Sequence, residues 1–234
     1  DNLPLLLKGV TNRSREGNDL TMHGVRRALV ELLALFPIYR TYVDGEHFTA
    51  RDLDIFRQVF RTGQRTARHF RNEVELLGAA IERTHGGVDD PATREEWVHF
   101  IMRLQQYTGP VMAKGVEDSA FYVYNRLLAR NDVGCEPPRL GHTVDEFHGF
   151  NQQRLASWPH AMSATATHDT KRGEDTRARI AAISWDAGRW SAGVARWSKL
   201  NRRHKQRLGR RPCPVPNDEY ALYQIVLGAA PMGG

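Results

Sequence analysis

The chain has 234 residues, 41% of them hydrophobic and 26% charged, which excludes a disordered polypeptide and leaves room for one large domain or two small ones. No apolar run approaches the ~20 residues of a membrane span, and the start lacks the basic region and cleavage site of a signal peptide. The net charge of +6 and a pI near 9.6 raise the question of nucleic acid, but the arginines are spread along helices and nothing resembles a zinc-spaced recognition helix or an RNA-binding aromatic pair.

In chain order, Met22, Val25, Leu29, Leu32, Leu33 and Phe36 recur at helical spacing, with Thr21 as the cap and Pro37 as the stop. The stretch PIYRTYVD, from Pro37, reads as an extended connector. Thr49 and Asp52 form a capping box with Asp in place of Glu, opening a helical pattern from Ala50 to about Thr84, interrupted near Gly63. Asp90 and Pro91 open another helix, to about Gln106, whose face is Trp97, Phe100, Ile101 and Leu104. Pro110 and two glycines bracket Val111–Ala113, which reads as a short buried strand, followed by a helix over Ser119–Ala129. GCEPPRLG is a loop. Thr143 and Glu146 form a full capping box for a helix ending before Trp158-Pro159. Ala161–Thr167 reads as a second buried strand. Helices near Asp175–Ser184 and Ala187–Lys205, a Pro-rich linker RPCPVP and a helix capped by Asn217 complete the chain.

This order predicts the α/β class: mainly helical, with few short parallel strands, as in part of a barrel whose other strands lie elsewhere. The chain starts without Met and stops straight after an apolar segment, so both ends read as cuts. Cys135 and Cys213 make neither a zinc site nor a disulfide framework, so a reducing cytoplasm is the simpler reading. The one dense basic cluster, Asn201–Arg211, reads as a solvated helix end plus loop rather than an anion site.

Two stretches carry candidate chemistry. In THDTKR, His168 and Asp169 would stand at the C-terminal end of a strand, where barrels place catalytic groups. Lys171 and Arg172 would keep the carboxylate ionised. Glu174 and Asp175 need no more than the dipole of the helix they start. In AKGVED, Lys114 follows the first strand at the wrong end for a dipole partner, beside Glu117 and Asp118. Phe121, Tyr122 and Tyr124, and Trp185, Trp190 and Trp197, read as packing residues rather than sugar platforms. His69 and His85 read as surface residues without metal-ligand spacing. No metal site and no cofactor are expected.

These residues carry a resemblance. QQYTGPVMAKGVEDSAFYVYNRLLARNDVG, from Gln105, and TVDEFHGFNQQRLASWPHAMSATATHDTKRGEDTRARI, from Thr143, closely resemble the maltooligosyltrehalose synthase family, within the α-amylase superfamily of (β/α)8 barrels. ELLALFPIYRTYV and VPNDEYALYQIVLGA resemble it in the same order. Small departures are Ser119 for Thr, Asp132 for Glu and Gly173 for Ser. The resemblance implies that residues 1–107 are a helical subdomain inserted in the barrel and residues 108–234 the C-terminal part of the barrel with its following helices. It implies that Asp169 is the catalytic carboxylate stabilising the transition state and that His168 binds sugar hydroxyls. Lys171 and Arg172 would line the acceptor side or orient Asp169, and Lys114, Glu117 and Asp118 would shape the substrate pocket. The implied reaction is intramolecular transglycosylation of a maltooligosaccharide, moving the reducing-end glucose from an α-1,4 to an α,α-1,1 linkage. The nucleophile and acid/base would lie on the rest of the barrel, in an N-terminal segment outside this chain, leaving the chain alone inactive. The competing readings are a related α-glucan hydrolase or glucanotransferase, and a non-catalytic basic helical interaction module. Neither membrane nor nucleic acid is expected as a partner.

Overall fold

A computed structural model describes residues 2–12, 15–136 and 141–230. Residues 137–140 of the GCEPPRLG loop therefore lie outside the described residues. The chain divides into two compact units, Asp1–Val116 and Glu117–Gly234.

The first unit is helical: α1 (Asn2–Thr11), α2 (Arg15–Asn18), α3 (Met22–Ala34), α4 (Ala50–Thr66), α5 (Arg71–Gly86) and α6 (Pro91–Pro110). The sequence signals for its ends are realised in the caps. Thr21 accepts from the Gly24 amide, Thr49 and Asp52 close their box reciprocally, and Asp90 accepts from the amides of Ala92 and Thr93. Gly87 ends α5 with φ 64°, a left-handed cap that suits glycine. The apolar faces then meet in one continuous core that includes Leu7, Val25, Phe56, Leu77, Phe100 and Ile101. Phe56 stacks on Phe60 and meets Phe36 edge-on. The connector after α3 bends over residues 37–39 and runs on to Asp44 outside any helix or strand, and Gln105 of α6 holds it. Its buried amide accepts from Val43 N (3.0 Å) and Thr41 Oγ1 (2.9 Å) and donates to Val43 O (2.8 Å). That satisfies backbone groups that have no strand beside them.

Two expectations in this unit fail. The helix does not break near Gly63 but at Ala67, before a 3-10 turn (Arg68–Phe70). A β-carbon at Gly63 would stand 2.9 Å from Leu32 Cδ2, so that glycine serves the close approach of α3 and α4. Val111–Ala113 is no strand. It belongs to a π-helical turn, Val111–Glu117, that continues α6 beyond Pro110. Proline offers no N–H to the helical ladder, and local widening carries the chain past it.

The second unit contains α7 (Val144–Ser157), α8 (Glu174–Ala181), α9 (Ala187–Leu200) and α10 (Pro216–Ala229). It also holds a hairpin of β1 (Gln206–Leu208) and β2 (Arg211–Cys213), pairing Gln206 with Cys213 and Leu208 with Arg211. Gly209, at φ 61°, takes the first central position of the two-residue turn. The expected parallel strands are thus corrected: the described strands are these two, and they are antiparallel. Of the basic cluster, Asn201–His204 is an exposed 3-10 turn at the end of α9, the solvated helix end that was expected, whereas its remainder and the start of the Pro-rich linker fold into this exposed hairpin rather than a loop. Ala161–Thr167 forms no strand. A strand needs a neighbour to accept its ladder, and the described residues offer this segment none. Arginines meet its carbonyls instead: Arg154 donates to Ala161 O (3.2 Å) and Met162 O (3.4 Å), and Arg177 to Thr165 O.

Ser119–Ala129 is also no helix, but two 3-10 turns, Ala120–Tyr122 and Leu128–Arg130. Side chains distant in sequence take its backbone groups. Asn131 donates to the carbonyls of Phe121 (2.8 Å) and Tyr124 (2.6 Å), and Gln224 donates to Asn125 O (2.8 Å) and accepts from Leu128 N (2.8 Å). Side-chain partners of this kind satisfy the backbone in place of a helix ladder. Asn217 does not cap α10. Val215 precedes the helix, Pro216 opens it, and Asn217 donates to Val123 O (3.0 Å). The buried apolar cluster is small: Leu128, Ile180 and Ile183, with Trp190 and Ala221 against it. Trp197 joins it through an edge-on contact with Trp190, while Trp185 is exposed.

Candidate functional site

The Thr143–Glu146 capping box forms as read and starts α7. Downstream, Thr170 N donates to Thr167 O (3.2 Å) and Thr167 N to Thr170 Oγ1 (2.7 Å), closing a four-residue turn. His168 and Asp169 occupy its two central positions. Their side chains meet at 3.2 Å (Nε2 to Oδ2) and stand 90% and 67% exposed. A turn tip presents both groups to whatever faces the turn, but by itself encloses nothing.

Below the tip the polar groups converge. Lys171 turns inward, and its Nζ lies 2.5 Å from Asp118 Oδ1. That hydrogen bond raises the Lys171 ammonium above its ordinary value of 10.5. Glu117 is buried and accepts from Gly134 N (3.0 Å), fixing a backbone position with φ 75°. The sequence-predicted Glu117, Asp118 and Lys171 are therefore brought together, and Arg172 lies half-buried beside them in sequence. The Lys171 side chain pairs with Asp118 rather than with Asp169. Lys114 is exposed and belongs to the first unit.

Three supporting residues were not read as site residues. Asp132 is buried, accepts from Val133 N (2.8 Å) and Lys171 N (3.3 Å), and faces Arg177 Nη1 at 3.7 Å. Asn131 holds the preceding 3-10 turns, as described. The signal available was NDVG itself, two short polar residues before a glycine; nothing local says that they are buried.

A second polar network lies between α9 and α10. Glu219 accepts from Lys205 Nζ (2.5 Å), Ser198 Oγ (3.0 Å) and Tyr223 Oη (2.7 Å). Burial pushes the Glu219 carboxyl up, but these donors outweigh it and hold it below its ordinary value of 4.5. All of its partners are groups of the same unit, so the network reads as structural. Among the described residues no group of three or more His, Cys, Asp or Glu side chains is placed to hold a metal ion, and no helix is long and apolar enough to cross a membrane.

No family model matches the chain. A protein of Mycobacterium tuberculosis (strain CDC 1551 / Oshkosh), provisionally named a maltooligosyl trehalose synthase, is 38% identical over 161 residues, covering 69% of this chain and 18% of that protein. The maltooligosyltrehalose synthase structure from Arthrobacter ramosus matches with a TM-score of 0.69 at 28% identity, covering 99% of this chain and 28% of that one. A hypothetical maltooligosyl trehalose synthase of Sulfolobus tokodaii matches with a TM-score of 0.60 at 29% identity, covering 98% of this chain and 28% of that one. Nearly the whole chain thus has the fold of one segment of larger synthases. In sequence and in fold it is a relative of the maltooligosyltrehalose synthases, as its motifs indicated. It spans about 18% of the length of the curated relatives it matches.

Proposed function

We propose that this chain supplies the His168–Asp169 turn of a maltooligosyltrehalose synthase. The enzyme would be an isomerase that converts the reducing-end α-1,4 bond of a maltooligosaccharide to an α,α-1,1 bond by intramolecular transglycosylation. The observation that carries this reading is the turn itself: a His-Asp pair at an exposed tip, in a chain related to these synthases by sequence and by fold. In the proposed mechanism Asp169 stays ionised against the developing oxocarbenium charge, and His168 binds hydroxyls of the sugar being cleaved. Lys171, held by Asp118, and Arg172 border the acceptor side. Glu117 and Asp118 shape the wall beneath, and Lys114 belongs to the same motif.

The reading requires more polypeptide. Retaining chemistry uses a nucleophile and an acid/base about 5 Å apart, and transfer back to the released glucose demands that water be kept out. A carboxylate 67% exposed meets neither condition. We read residues 108–234 as part of an amylase-type (β/α)8 barrel and residues 1–107 as the helical subdomain inserted in it, the remaining strands lying on further chain. The exposed apolar side chains of α7 and after it (Phe147, Phe150, Leu155, Trp158 and Met162) are a surface suited to that chain. No cofactor enters the reaction, and the setting is cytoplasmic.

One assay tests the reading. The 234-residue chain incubated with maltopentaose gives no trehalosyl product, whereas the complete protein that carries it does, and Asp169→Asn in that protein abolishes turnover with its circular dichroism unchanged. Product from the chain alone, or near-normal turnover in the variant, defeats it.

A further inference from the structure

One buried polar cluster lies outside the proposed chemistry. Asp132 is 5% exposed, yet it touches neither His168 nor Asp169. We propose that Asp132 and Arg177 are positioning residues that hold the His168–Asp169 turn from both sides; this rests on the reading of Asp169 as the reacting carboxylate.

The geometry is a staple. On the far side of the turn, the backbone N–H of Lys171 donates to Asp132 Oδ1 (3.3 Å), two residues beyond Asp169. On the near side, Arg177 of α8 donates through Nη2 to Thr165 O, three residues before His168. The two side chains are joined as an ion pair, Arg177 Nη1 to Asp132 Oδ2 at 3.7 Å. Asp132 is itself fixed by the Val133 amide at 2.8 Å, and the next residue, Gly134, by Glu117. Both ends of the turn are therefore tied to one buried carboxylate and its countercharge, and only residues 166–170 span the gap. Those five close on themselves through Thr167 and Thr170. The Lys171 side chain reinforces the same end through Asp118.

Such a device acts on rate rather than on binding. The tip carries no packing of its own, so the position of Asp169 is set by its two flanks. A misplacement of about 1 Å costs on the order of 10²-fold in rate. The joining pair has the charge but not the length of a hydrogen bond, and Asp132 Oδ2 and Arg177 Nε have no hydrogen-bond partner among the described residues. A carboxylate one methylene longer should therefore serve the same role.

The test combines amide hydrogen exchange on this chain with kinetics on the complete protein. In Asp132→Asn, exchange at Lys171 and its turn neighbours rises about tenfold, the loss of one charge-assisted hydrogen bond, while α9 and α10 keep their protection. Arg177→Gln loosens the Thr165 side in the same way. In the complete protein, Asp132→Asn lowers kcat about 10- to 100-fold with KM changed far less, and Asp132→Glu recovers most of the rate. Unchanged exchange at Lys171, acceleration spread evenly over the unit, or a KM effect without a kcat effect each overturns the proposal. If the wild-type complete protein forms no trehalosyl product, the functional reading fails, while the exchange measurement still decides the staple.

Discussion

In the first unit, side chains from α1, α3, α4, α5 and α6 meet in one apolar core, and the buried polar residues there, such as Thr84, Gln105 and Thr108, are uncharged. In the second, the apolar cluster is Leu128, Ile180 and Ile183, and the interior holds Glu117, Asn125, Asn131, Asp132, Glu219 and Gln224. Both units use a fully buried glutamine to hold an irregular segment: Gln105 for Val43, Gln224 for Asn125 and Leu128. Around its glutamine, however, the first unit adds apolar area, which is non-directional and tolerant, while the second adds charge-assisted hydrogen bonds, which are directional and costly to leave unmade. The first arrangement makes a continuous apolar core. The second makes a surface of polar loops with apolar side chains such as Phe147, Phe150 and Trp158 still exposed.

Perturbing each unit at its own strong point sharpens the contrast. The largest effect is expected from Phe100→Ala, which empties a fully buried site beside Trp97 and should cost about 4 kcal/mol. Urea unfolding followed by far-ultraviolet circular dichroism measures it; a loss below ~1 kcal/mol would break the picture of a tight apolar core. Next comes Glu219→Gln, which removes the countercharge of Lys205 in a mostly buried site and leaves it Ser198 Oγ as a neutral partner; it should cost about 3 kcal/mol in the second unit. The same residue makes that unit acid-sensitive. Because the Glu219 carboxyl is held below its ordinary value of 4.5, its stabilisation is complete above that pH and is lost as pH falls through the lowered value. Stability followed from pH 7 to pH 2 by near-ultraviolet circular dichroism should show an acid slope that the Gln variant lacks in part; identical slopes would remove Glu219 from the account. The smallest effect belongs to Arg57→Ala. Arg57 and Glu82 meet at 2.6 Å, but both are about two-fifths exposed. Solvent screens such pairs, so the variant should unfold within error of the wild type, most clearly in high salt.

Legibility in the sequence follows the same divide. Every helix of the first unit from α3 onward was readable because its signal is local. Apolar residues at period 3.6 and a cap a few residues away report on the same turns of chain. The errors there, the supposed break at Gly63 and the strand at Val111, came from reading Gly and Pro as stops. One of them permits close packing, and the other is absorbed by a widened turn. In the second unit, α7, α8 and α9 were legible for the same reason. The strands were not, because a strand exists only when something pairs with it, and the partner of Thr165 O is a side chain of α8. Ser119–Ala129 failed similarly, since Asn131 and Gln224 take its backbone groups from afar. Of the site, His168, Asp169, Lys171, Glu117 and Asp118 stood out as a density of titratable groups. Asp132 did not, because burial of a short carboxylate leaves no periodic trace.

The sequence by itself determined that the segments from α3 to α10 are helical, where most of them begin, and which family the chain is related to, since each rests on neighbouring residues or on long motifs in register. Only the tertiary structure decided that Lys171 is tied to Asp118, that Asp132 and Arg177 grip the two flanks of the His168–Asp169 turn, and that the expected strands do not form. These outcomes depend on which donors and acceptors, tens of residues apart, become each other's partners once water is excluded. That pairing is a property of the folded chain rather than of any stretch of it.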